Sequence, residues 1–386
     1  MVSSRGVPKR SPAPRPPPPS RAVAAGAATG AAPVRVAVVG LGIGRTHLRG
    51  LFAAAAIDGL PRVQVVALCD TDRARLRAVG REAGIAARYA SFERLLAAER
   101  PDAVVVATPN DLHAPIGVAA LEAGCHVLVE KPLAHRLAAA EELERAARRA
   151  RRLLMLDLSL RFGAAARTAK AWLESGRCGR LYHANTYWCR TRGIPFRGAW
   201  LTQQRRAGGG PVLDLGVHRI DLALWFMGEP AVVAASAVRH GELGRALARR
   251  RRTRFDVEEF GGGLLRLAGG RGLVFEVSWA ENSGRREIML TRVLGVRGGA
   301  IHRNVDHGQE FVAELHQDRA GTLVAPDPAP WRRDALLPVH EFLRAVVDPT
   351  HSVPDGANGL RLQRVLEAIG RSAREGREVA LAELAE

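Results

Sequence analysis

The chain has 386 residues, of which 47% are hydrophobic, and this is enough for roughly two domains with cores of their own. Its apolar runs are shorter than the roughly 20 residues that a bilayer-spanning helix needs, so we expect no membrane partner. The net charge of +18 would suit nucleic acid, but residues 1–33 and Arg245–Arg254 supply eleven of these charges. Neither stretch interleaves aromatic residues or has a DNA-binding spacing, so we predict a solvated tail, a solvated loop and no nucleic-acid partner.

The N-terminal tail and the cysteines indicate where the protein resides. Residues 1–33 are rich in Pro, Ala and Arg and lack the apolar segment of an export signal, so we predict disorder there. No two cysteines form a C-x-x-C pair, which predicts neither a metal site nor a disulfide framework. The cysteines are Cys69, Cys125, Cys178 and Cys189. Thiols without partners fit a reducing compartment, and we expect a cytoplasmic protein.

Apolar and amphipathic segments alternate from Val34 to Asp157. The predicted strands are Val34–Val39, Val63–Leu68, Ala103–Val106, His126–Val129 and Leu153–Leu156, with helices near 45–56, 72–83, 92–99, 112–123 and 136–151. Continuous Val/Leu runs separated by helices indicate a parallel sheet covered on both faces. We therefore predict an α/β, doubly wound Rossmann domain over 34–157, whose ligand lies beyond the carboxyl ends of the strands.

The first strand runs into a glycine turn within VRVAVVGLGIGRTHL, residues 34–48. Gly40, Gly42 and Gly44 allow close backbone approach, and the helix that follows presents unpaired N–H groups and a partial positive charge. This arrangement suits a phosphate or pyrophosphate, although a glycine turn by itself is a weak signal.

The second strand ends at a pair of aspartates. We predict that Asp70 accepts the ribose hydroxyls of NAD and that Asp72 caps the next helix. Because Arg73 is basic and NADP carries an additional phosphate, NADP stays open as an alternative cofactor.

Two later strands end in polar residues at the same edge of the sheet. One is followed by ATPNDLH, residues 107–113, and the other by Glu130-Lys131-Pro132. The chain has only three lysines, so a titratable amine at this edge is interpreted as functional. The predicted cofactor-binding residues are Gly40, Gly42, Ile43, Gly44, Asp70, Arg73, Thr108, Pro109, Asn110, His113, Glu130 and Lys131.

The pattern changes after Asp157. We predict a helix near 164–175, a strand at Leu181–Thr191 and a helix at Val212–Met227. Strands follow at Ala231–Arg239, Phe260–Leu267, Leu273–Trp279 and Glu287–Leu290, and helices near 335–347 and 357–375 close the chain. Sequential strands with short turns predict a second, α+β domain over 158–386 with a mostly antiparallel sheet. The closing helices of this domain could pack back on the first domain. Asp214 and His218 lie four residues apart, after Gly208-Gly209-Gly210, and project from one face of their helix.

With these motifs, the chain resembles the glucose–fructose oxidoreductase / inositol dehydrogenase / MocA (Gfo/Idh/MocA) family of nicotinamide-dependent oxidoreductases, from about Val34 to Leu381. The motifs are the glycine turn with His47, ATPNDLH, EKP at 130–132 and GGGPVLDLGVHRIDLALWFMG at 208–228. Two positions depart from the family pattern. The turn reads G-x-G-x-G instead of G-x-G-x-x-G, with Arg45 where the last glycine would fall, and Ser159 replaces a common Asn.

The resemblance implies a substrate-carrying open sheet, homo-oligomers through that sheet, and a catalytic group formed by Lys131, Asp214 and His218. We expect hydride transfer between nicotinamide and a secondary alcohol or carbonyl of a sugar, polyol or related compound. His218, with an ordinary pKa near 6.5, is the expected base. Lysine can take that role where burial and a neighbouring cation lower its pKa from roughly 10.4 towards 7–8.

The remaining histidines and some polar residues have weaker signals. His47, His113 and His126 have no paired acid in the sequence pattern and are interpreted as helix-entry or strand residues rather than acid–base groups. A second group of residues is expected near the substrate pocket: Trp200, Arg192 and Arg205. Two other functions stay open, a cofactor-dependent glycosidase and a non-catalytic cofactor-binding regulator.

Overall fold

The computed structural model describes residues 32–196, 200–284, 286–324 and 337–384. The predicted tail therefore lies outside the described residues except for its last two, and so do the first two residues of the predicted helix at 335–347. Among the described residues, no helix is both long enough and apolar enough to cross a bilayer.

A six-stranded parallel sheet occupies the first part of the chain, with the strand order β3-β2-β1-β4-β5-β6. Its strands are β1 Val34–Val39, β2 Val63–Cys69, β3 Arg88–Tyr89, β4 Ala103–Val106, β5 His126–Val129 and β6 Leu154–Leu156. Its helices are α1 Gly44–Ala53, α2 Arg73–Glu82, α3 Phe92–Glu99, α4 His113–Glu122 and α5 Leu137–Ala150. The predicted doubly wound sheet is confirmed. Only β3 was missed, because two residues are too few to show a period.

The apolar runs form central strands because both faces of the sheet are covered. All four residues of β4 are buried, as are the last three of β5 and all of β6. Such strands cannot alternate polar and apolar side chains, since helices pack on either side.

A nine-stranded sheet follows, with the order β14-β13-β12-β11-β7-β10-β9-β8-β15. Its strands are β7 Leu181–Arg190, β8 Val232–His240, β9 Phe260–Leu267, β10 Arg271–Ser278, β11 Glu287–Gly295, β12 Gly298–Asn304, β13 Phe311–Arg319, β14 Thr322–Val324 and β15 Val379–Ala380. Among its pairs only β7 with β10 is parallel. The predicted mostly antiparallel sheet is confirmed, although β12 to β15 were missed.

The helices of this part pack on the second sheet and also return to the first. They are α6 Ala164–Glu174, α7 Gln204–Ala207, a π-helical segment Val212–Gly216 that continues into α8 Val217–Phe226, α9 Glu242–Arg251, α10 Pro338–Val347 and α11 Gly356–Glu375. Single 3₁₀ turns lie at Ala54–Ala56, Asn110–Leu112, Ser159–Phe162 and Leu381–Leu384. Helix α10 packs on α1, and α11 packs on α5, β6 and β8.

The arginine-rich stretch is a helix, and its prediction as a solvated loop was wrong. Residues 245–251 belong to α9, which has Glu242 in its first turn and three arginines in its last turn. Both ends complement the helix dipole. Buried Glu259 accepts hydrogen bonds from the N–H groups of Leu243 and Gly244 and so anchors the helix start. Because half of the residues of α9 are charged, its single apolar stripe was too weak to show in the sequence.

Candidate active site

The glycine turn packs against the loop that follows β4. Gly40 has φ +89°, and a Cβ at this position would overlap the carbonyl oxygen of Ala107. A Cβ on Gly44 would lie 3.2 Å from Cγ1 of Val38, so α1 packs closely on β1. Gly42 differs from both, because nothing lies within 4 Å of a Cβ built there. Gly40 is therefore required by packing, Gly44 is closely packed, and Gly42 faces open space.

The shortened turn still delivers a free helix N-terminus. No side chain caps α1 and its first turn has no acidic residue, so its N–H groups are available to an anion. Because one residue is missing, Gly44 takes the close-packing position. Arg45 follows it, and its buried Nε has no hydrogen-bond partner among the described residues.

Asp70 holds the glycine turn in place, a role that the sequence pattern did not indicate. It is buried, its Oδ2 accepts the Leu41 N–H at 2.8 Å, and its Oδ1 accepts the Asp72 N–H at 2.8 Å. The guanidinium of Arg75 lies 3.1 Å from Oδ2. The carboxylate therefore sits at the carboxyl end of β2, beside the turn. Arg73 is exposed at the start of α2.

Asp72 is the helix cap that the sequence predicted. Its side chain accepts the N–H groups of Ala74 and Arg75, both at 3.0 Å. These hydrogen bonds lower the pKa of the exposed Asp72 carboxyl, with the Arg75 backbone contact as the largest cause.

The loop after β4 is fixed by two buried side chains. Asn110 donates to the carbonyl oxygen of Ala207 at 2.8 Å and so joins this loop to α7. His113 is completely buried, with its ring nitrogens 2.8 Å from the carbonyl oxygen of Pro132 and 2.9 Å from that of Thr108. Burial is the largest influence on the pKa of His113 and lowers it, although the contacts with the two carbonyl oxygens act in the opposite direction. His113 thus joins the two loops, and its role in cofactor binding stays a prediction.

Lys131 and Asp214 form an ion pair between the two sheets. Nζ of Lys131 lies 2.7 Å from Oδ1 of Asp214 and also donates to its carbonyl oxygen at 3.0 Å. On the opposite side, the indole N–H of Trp279 donates to Oδ2 at 2.9 Å. Burial would raise the pKa of Asp214, but the charge and hydrogen bond of Lys131 lower it on balance. The carboxylate is therefore ionised.

The triple glycine allows the Asp214 segment to approach its neighbours. A Cβ on Gly208 would overlap the carbonyl oxygen of His135, and one on Gly210 would overlap that of Glu258. Only glycine permits these contacts, which bring the π-helical segment close to the loop after Pro132.

His218 lies near this pair, and its pKa differs from the ordinary value that the sequence analysis assumed. It is 9% exposed, its Nδ1 has no partner among the described residues, and its ring lies 5.9 Å from that of Trp188. Burial, reinforced by the charge of Lys131, lowers its pKa to about 3. The expectation of an ordinary pKa near 6.5 was wrong, because the sequence does not show how deeply the imidazole is buried.

His47 has acidic partners, contrary to its interpretation as an unpaired histidine. Its Nε2 lies 2.8 Å from Oε1 of Glu130 and 3.5 Å from Oδ2 of Asp157. These residues come from α1 and from the ends of β5 and β6. The position of Glu130 beside Lys131, at a strand end, was the one sequence signal for this cluster. His126, by contrast, starts β5 as predicted and accepts the Leu153 N–H.

The residues expected around the substrate are only partly assembled. Arg192 is exposed and donates to the Glu281 carbonyl oxygen and the Asn282 side chain. Arg205 is exposed on α7, and Trp200 is partly buried. It is Arg206 that reaches the first sheet, with Nε 3.3 Å from Oδ2 of Asp111.

Both parts of the chain match known protein families. Residues 34–158 match the family model described as oxidoreductase family, NAD-binding Rossmann fold, and residues 166–301 match the GFO/IDH/MocA C-terminal domain. D-glucoside 3-dehydrogenase from Escherichia coli is 29% identical over 83% of this chain and 90% of that protein. 1,5-anhydro-D-fructose reductase from Ensifer adhaerens is 29% identical over 80% of this chain and 90% of its own length.

A solved structure shares the fold. Levoglucosan dehydrogenase in complex with NADH and levoglucosan superposes with a TM-score of 0.79 at 21% identity, over 91% of this chain and all of that one.

Proposed function

Since the chain belongs to the GFO/IDH/MocA family of oxidoreductases and carries its NAD-binding Rossmann domain, we propose that it is a dehydrogenase that oxidises or forms a CH–OH group of a sugar, polyol or related hydroxy compound. The observation that carries this proposal is the Lys131–Asp214 ion pair, with His218 beside it, at the edge where the strands of the first sheet end.

The residues along this edge fit NAD. The uncapped start of α1 and the open space over Gly42 suit a diphosphate, and the carboxylate of Asp70 stands where a ribose is expected. NAD, when bound, accepts or supplies the hydride. We propose NAD over NADP, because Asp70 would repel a 2′-phosphate.

The catalytic roles follow from the hydrogen bonds. An ammonium has three N–H donors, and Lys131 uses two of them on Asp214, so the third is free for the substrate oxygen. In alcohol oxidation the amine form of Lys131 takes the hydroxyl proton, and in carbonyl reduction the ammonium returns it. Asp214 balances that charge. His218, a neutral imidazole, hydrogen-bonds the substrate and does not serve as the base.

The names of the relatives suggest the substrate class. A glucoside dehydrogenase and an anhydrofructose reductase both act on sugars, and we propose that this chain does too. The free and buried state of the four cysteines fits the proposed cytoplasmic location.

The function is tested with purified protein, NAD or NADP, and a panel of sugars, glycosides, polyols and hydroxy acids. We expect reduced cofactor to accumulate with a sugar, faster from NAD, and not with the Lys131→Met variant. Release of an aglycone without accumulation of reduced cofactor would indicate the glycosidase. Tight NAD binding without turnover on any compound would indicate a regulator and would overturn the proposal.

We also propose a homo-oligomer through the second sheet, as expected for an open sheet. Its exposed apolar side chains support this proposal, since an uncovered sheet face favours association. They include Val233, Val238 and Tyr182. Light scattering should give a mass above 41.5 kDa, and charged substitutions at Val233 and Val238 should lower it.

A further inference from the structure

We propose that His47, Glu130 and Asp157 form a buried, proton-sharing cluster that keeps Glu130 ionised behind Lys131 and thereby sets the pH range in which the catalytic pair works. They are positioning residues, and this proposal rests on the proposed hydride transfer. The sequence pattern had assigned no role to His47 or Asp157.

The cluster is assembled from three elements. His47 comes from the first turn of α1, Glu130 follows β5, and Asp157 follows β6. The imidazole Nε2 lies between the two carboxylates, 2.8 Å from Glu130 and 3.5 Å from Asp157. His47 and Asp157 are each 5% exposed, so water cannot screen these charges.

One imidazole cannot neutralise two buried carboxylates. When two carboxylates lie close together in a low dielectric, the pKa of one of them is raised, and that carboxyl group keeps its proton. Burial, assisted by the charge of Glu130, raises the pKa of Asp157 to about 7. Burial would lower the pKa of His47, but the hydrogen bond and charge of Glu130 and the charge of Asp157 raise it on balance.

Glu130 is therefore the carboxyl group of the cluster that stays ionised. Burial opposes its charge, but His47 and Lys131 outweigh burial and lower its pKa. Oδ1 of Asp157 is buried and has no hydrogen-bond partner among the described residues, as suits an acid whose charge is suppressed.

The cluster acts electrostatically on the catalytic groups. Glu130 interacts electrostatically with both Lys131 and His218, and its charge opposes the lowering of the His218 pKa. The charged or titratable groups that interact with Glu130 from the packed elements are His47, His113, Lys131, Asp157 and His218. Asp214 interacts with two of these groups, Lys131 and His218. Asp157 changes charge near neutral pH, and the field at Lys131 changes with it.

The same three side chains could also hold a cation, since their ligand atoms lie within 4.8 Å of one another. Their spacing favours shared protons. A tetrahedral metal with bonds of about 2.0–2.2 Å would separate its ligand atoms by roughly 3.3–3.6 Å. The 2.8 Å between His47 and Glu130 is a hydrogen-bond distance.

The first test is the pH profile of kcat/KM for alcohol oxidation. Glu130→Gln removes a negative charge next to Lys131, so the acid limb should move about one unit to lower pH. His47→Asn should move it in the same direction, because Glu130 without its cation takes up a proton. Asp157→Asn mimics the protonated acid and should keep kcat within about threefold while removing the inflection near pH 7. The control is His126→Asn, at the opposite end of β5, which should keep the wild-type profile.

A purely structural cluster would give another result. The variants would then melt at lower temperature, but their profiles would superimpose on that of the wild type, and the proposal would be wrong.

The second test does not require turnover. Infrared difference spectra between pH 5 and pH 8 should show a protonated carboxyl band in the wild type that Asp157→Asn lacks. If this band is present in a protein that oxidises no substrate, the cluster stands and the proposed function fails. If the band is unchanged in Asp157→Asn, or if a stoichiometric divalent metal is bound and is lost in His47→Asn, proton sharing is overturned.

Discussion

Nζ of Lys131 lies 2.7 Å from Oδ1 of Asp214, although 83 residues separate the two in the chain. The pair joins the end of a strand in the first sheet to a helix of the second part, and the indole of Trp279 holds the carboxylate from the other side. The ammonium keeps one donor for a ligand, while Asp214 stabilises its charge. This is the arrangement that a group needs when it both orients an oxygen and exchanges a proton with it.

Replacing Lys131 with a residue that cannot exchange a proton should lower the catalytic rate. Lys131→Met is expected to lower kcat by about 10²–10⁴-fold, the usual contribution of general acid–base catalysis, with the Kd for NAD unchanged. Lys131→Arg is the matched variant, because it keeps the charge but cannot release a proton. Steady-state kinetics and NAD titration measure both, and wild-type turnover in Lys131→Arg would exclude Lys131 as the proton carrier.

His218 should affect the rate without shaping its pH dependence. With a pKa lowered to about 3, the imidazole is neutral from pH 5 to 8 and loses no proton there. His218→Gln should therefore lower kcat/KM by about tenfold, the cost of about one hydrogen bond, while the acid limb keeps its position. If the limb disappears in this variant, His218 is the base after all.

Two glycines of the same turn should respond differently to alanine. Gly40→Ala places a Cβ on the Ala107 carbonyl oxygen at a positive φ, and should destabilise the fold by about 1–3 kcal/mol or more. Gly42→Ala meets nothing within 4 Å and should leave stability unchanged, yet weaken NAD binding if the diphosphate approaches there. Thermal unfolding and NAD titration separate the two effects. Equal melting temperatures for the two variants would contradict the packing argument.

The Asp157 acid should make stability depend on pH. Its pKa is raised to about 7 when folded, against roughly 3.9 when unfolded, so the folded state binds the extra proton between these values. Its contribution to stability is full below about pH 4 and is lost as pH rises towards 7, at up to about 1.4 kcal/mol per unit. Relative to the wild type, Asp157→Asn should therefore gain stability from pH 5 to 7. Urea unfolding at both values measures this, and a constant difference would show that Asp157 does not titrate.

Among the described residues, no salt bridge joins the buried Arg219 to a carboxylate, although the charge of Glu287 acts to raise its pKa. Arg219 is completely buried, burial lowers its pKa to about 9, and its Nε and Nη2 have no hydrogen-bond partner among the described residues. Its guanidinium stacks near Trp188 and Phe311, each 5.5 Å away. An apolar side chain of similar length should fit better, so Arg219→Met is expected to stabilise the fold by about 1–3 kcal/mol. Arg219→Lys, which keeps the charge, should not. A lower free energy of unfolding for Arg219→Met would mean that these stacking contacts outweigh the buried charge.

Local pattern was sufficient for every strand of the first sheet except the two-residue β3. The runs at Val34–Val39 and Ala103–Val106 are strands with the predicted bounds, because a strand buried on both faces must be continuously apolar. The cap at Asp72 was predictable for a similar reason, since an N-cap contacts only residues two and three positions away. The pairing of Lys131 with Asp214 agrees with the family motifs, although their catalytic roles stay a prediction.

The sequence by itself thus determined the alternation of strands and helices in the first sheet, apart from β3, and which polar residues stand at its strand ends. Only the tertiary structure decided which of those residues meet and how deeply they are buried. Helix α9 and the acidic partners of His47 depend on residues distant in the chain, and the pKa of His218 depends on exclusion of water by the surrounding residues. A periodic pattern reports the face of an element that is buried. It does not report the opposing charge that will lie against that face, because this proximity arises only when the two sheets pack together.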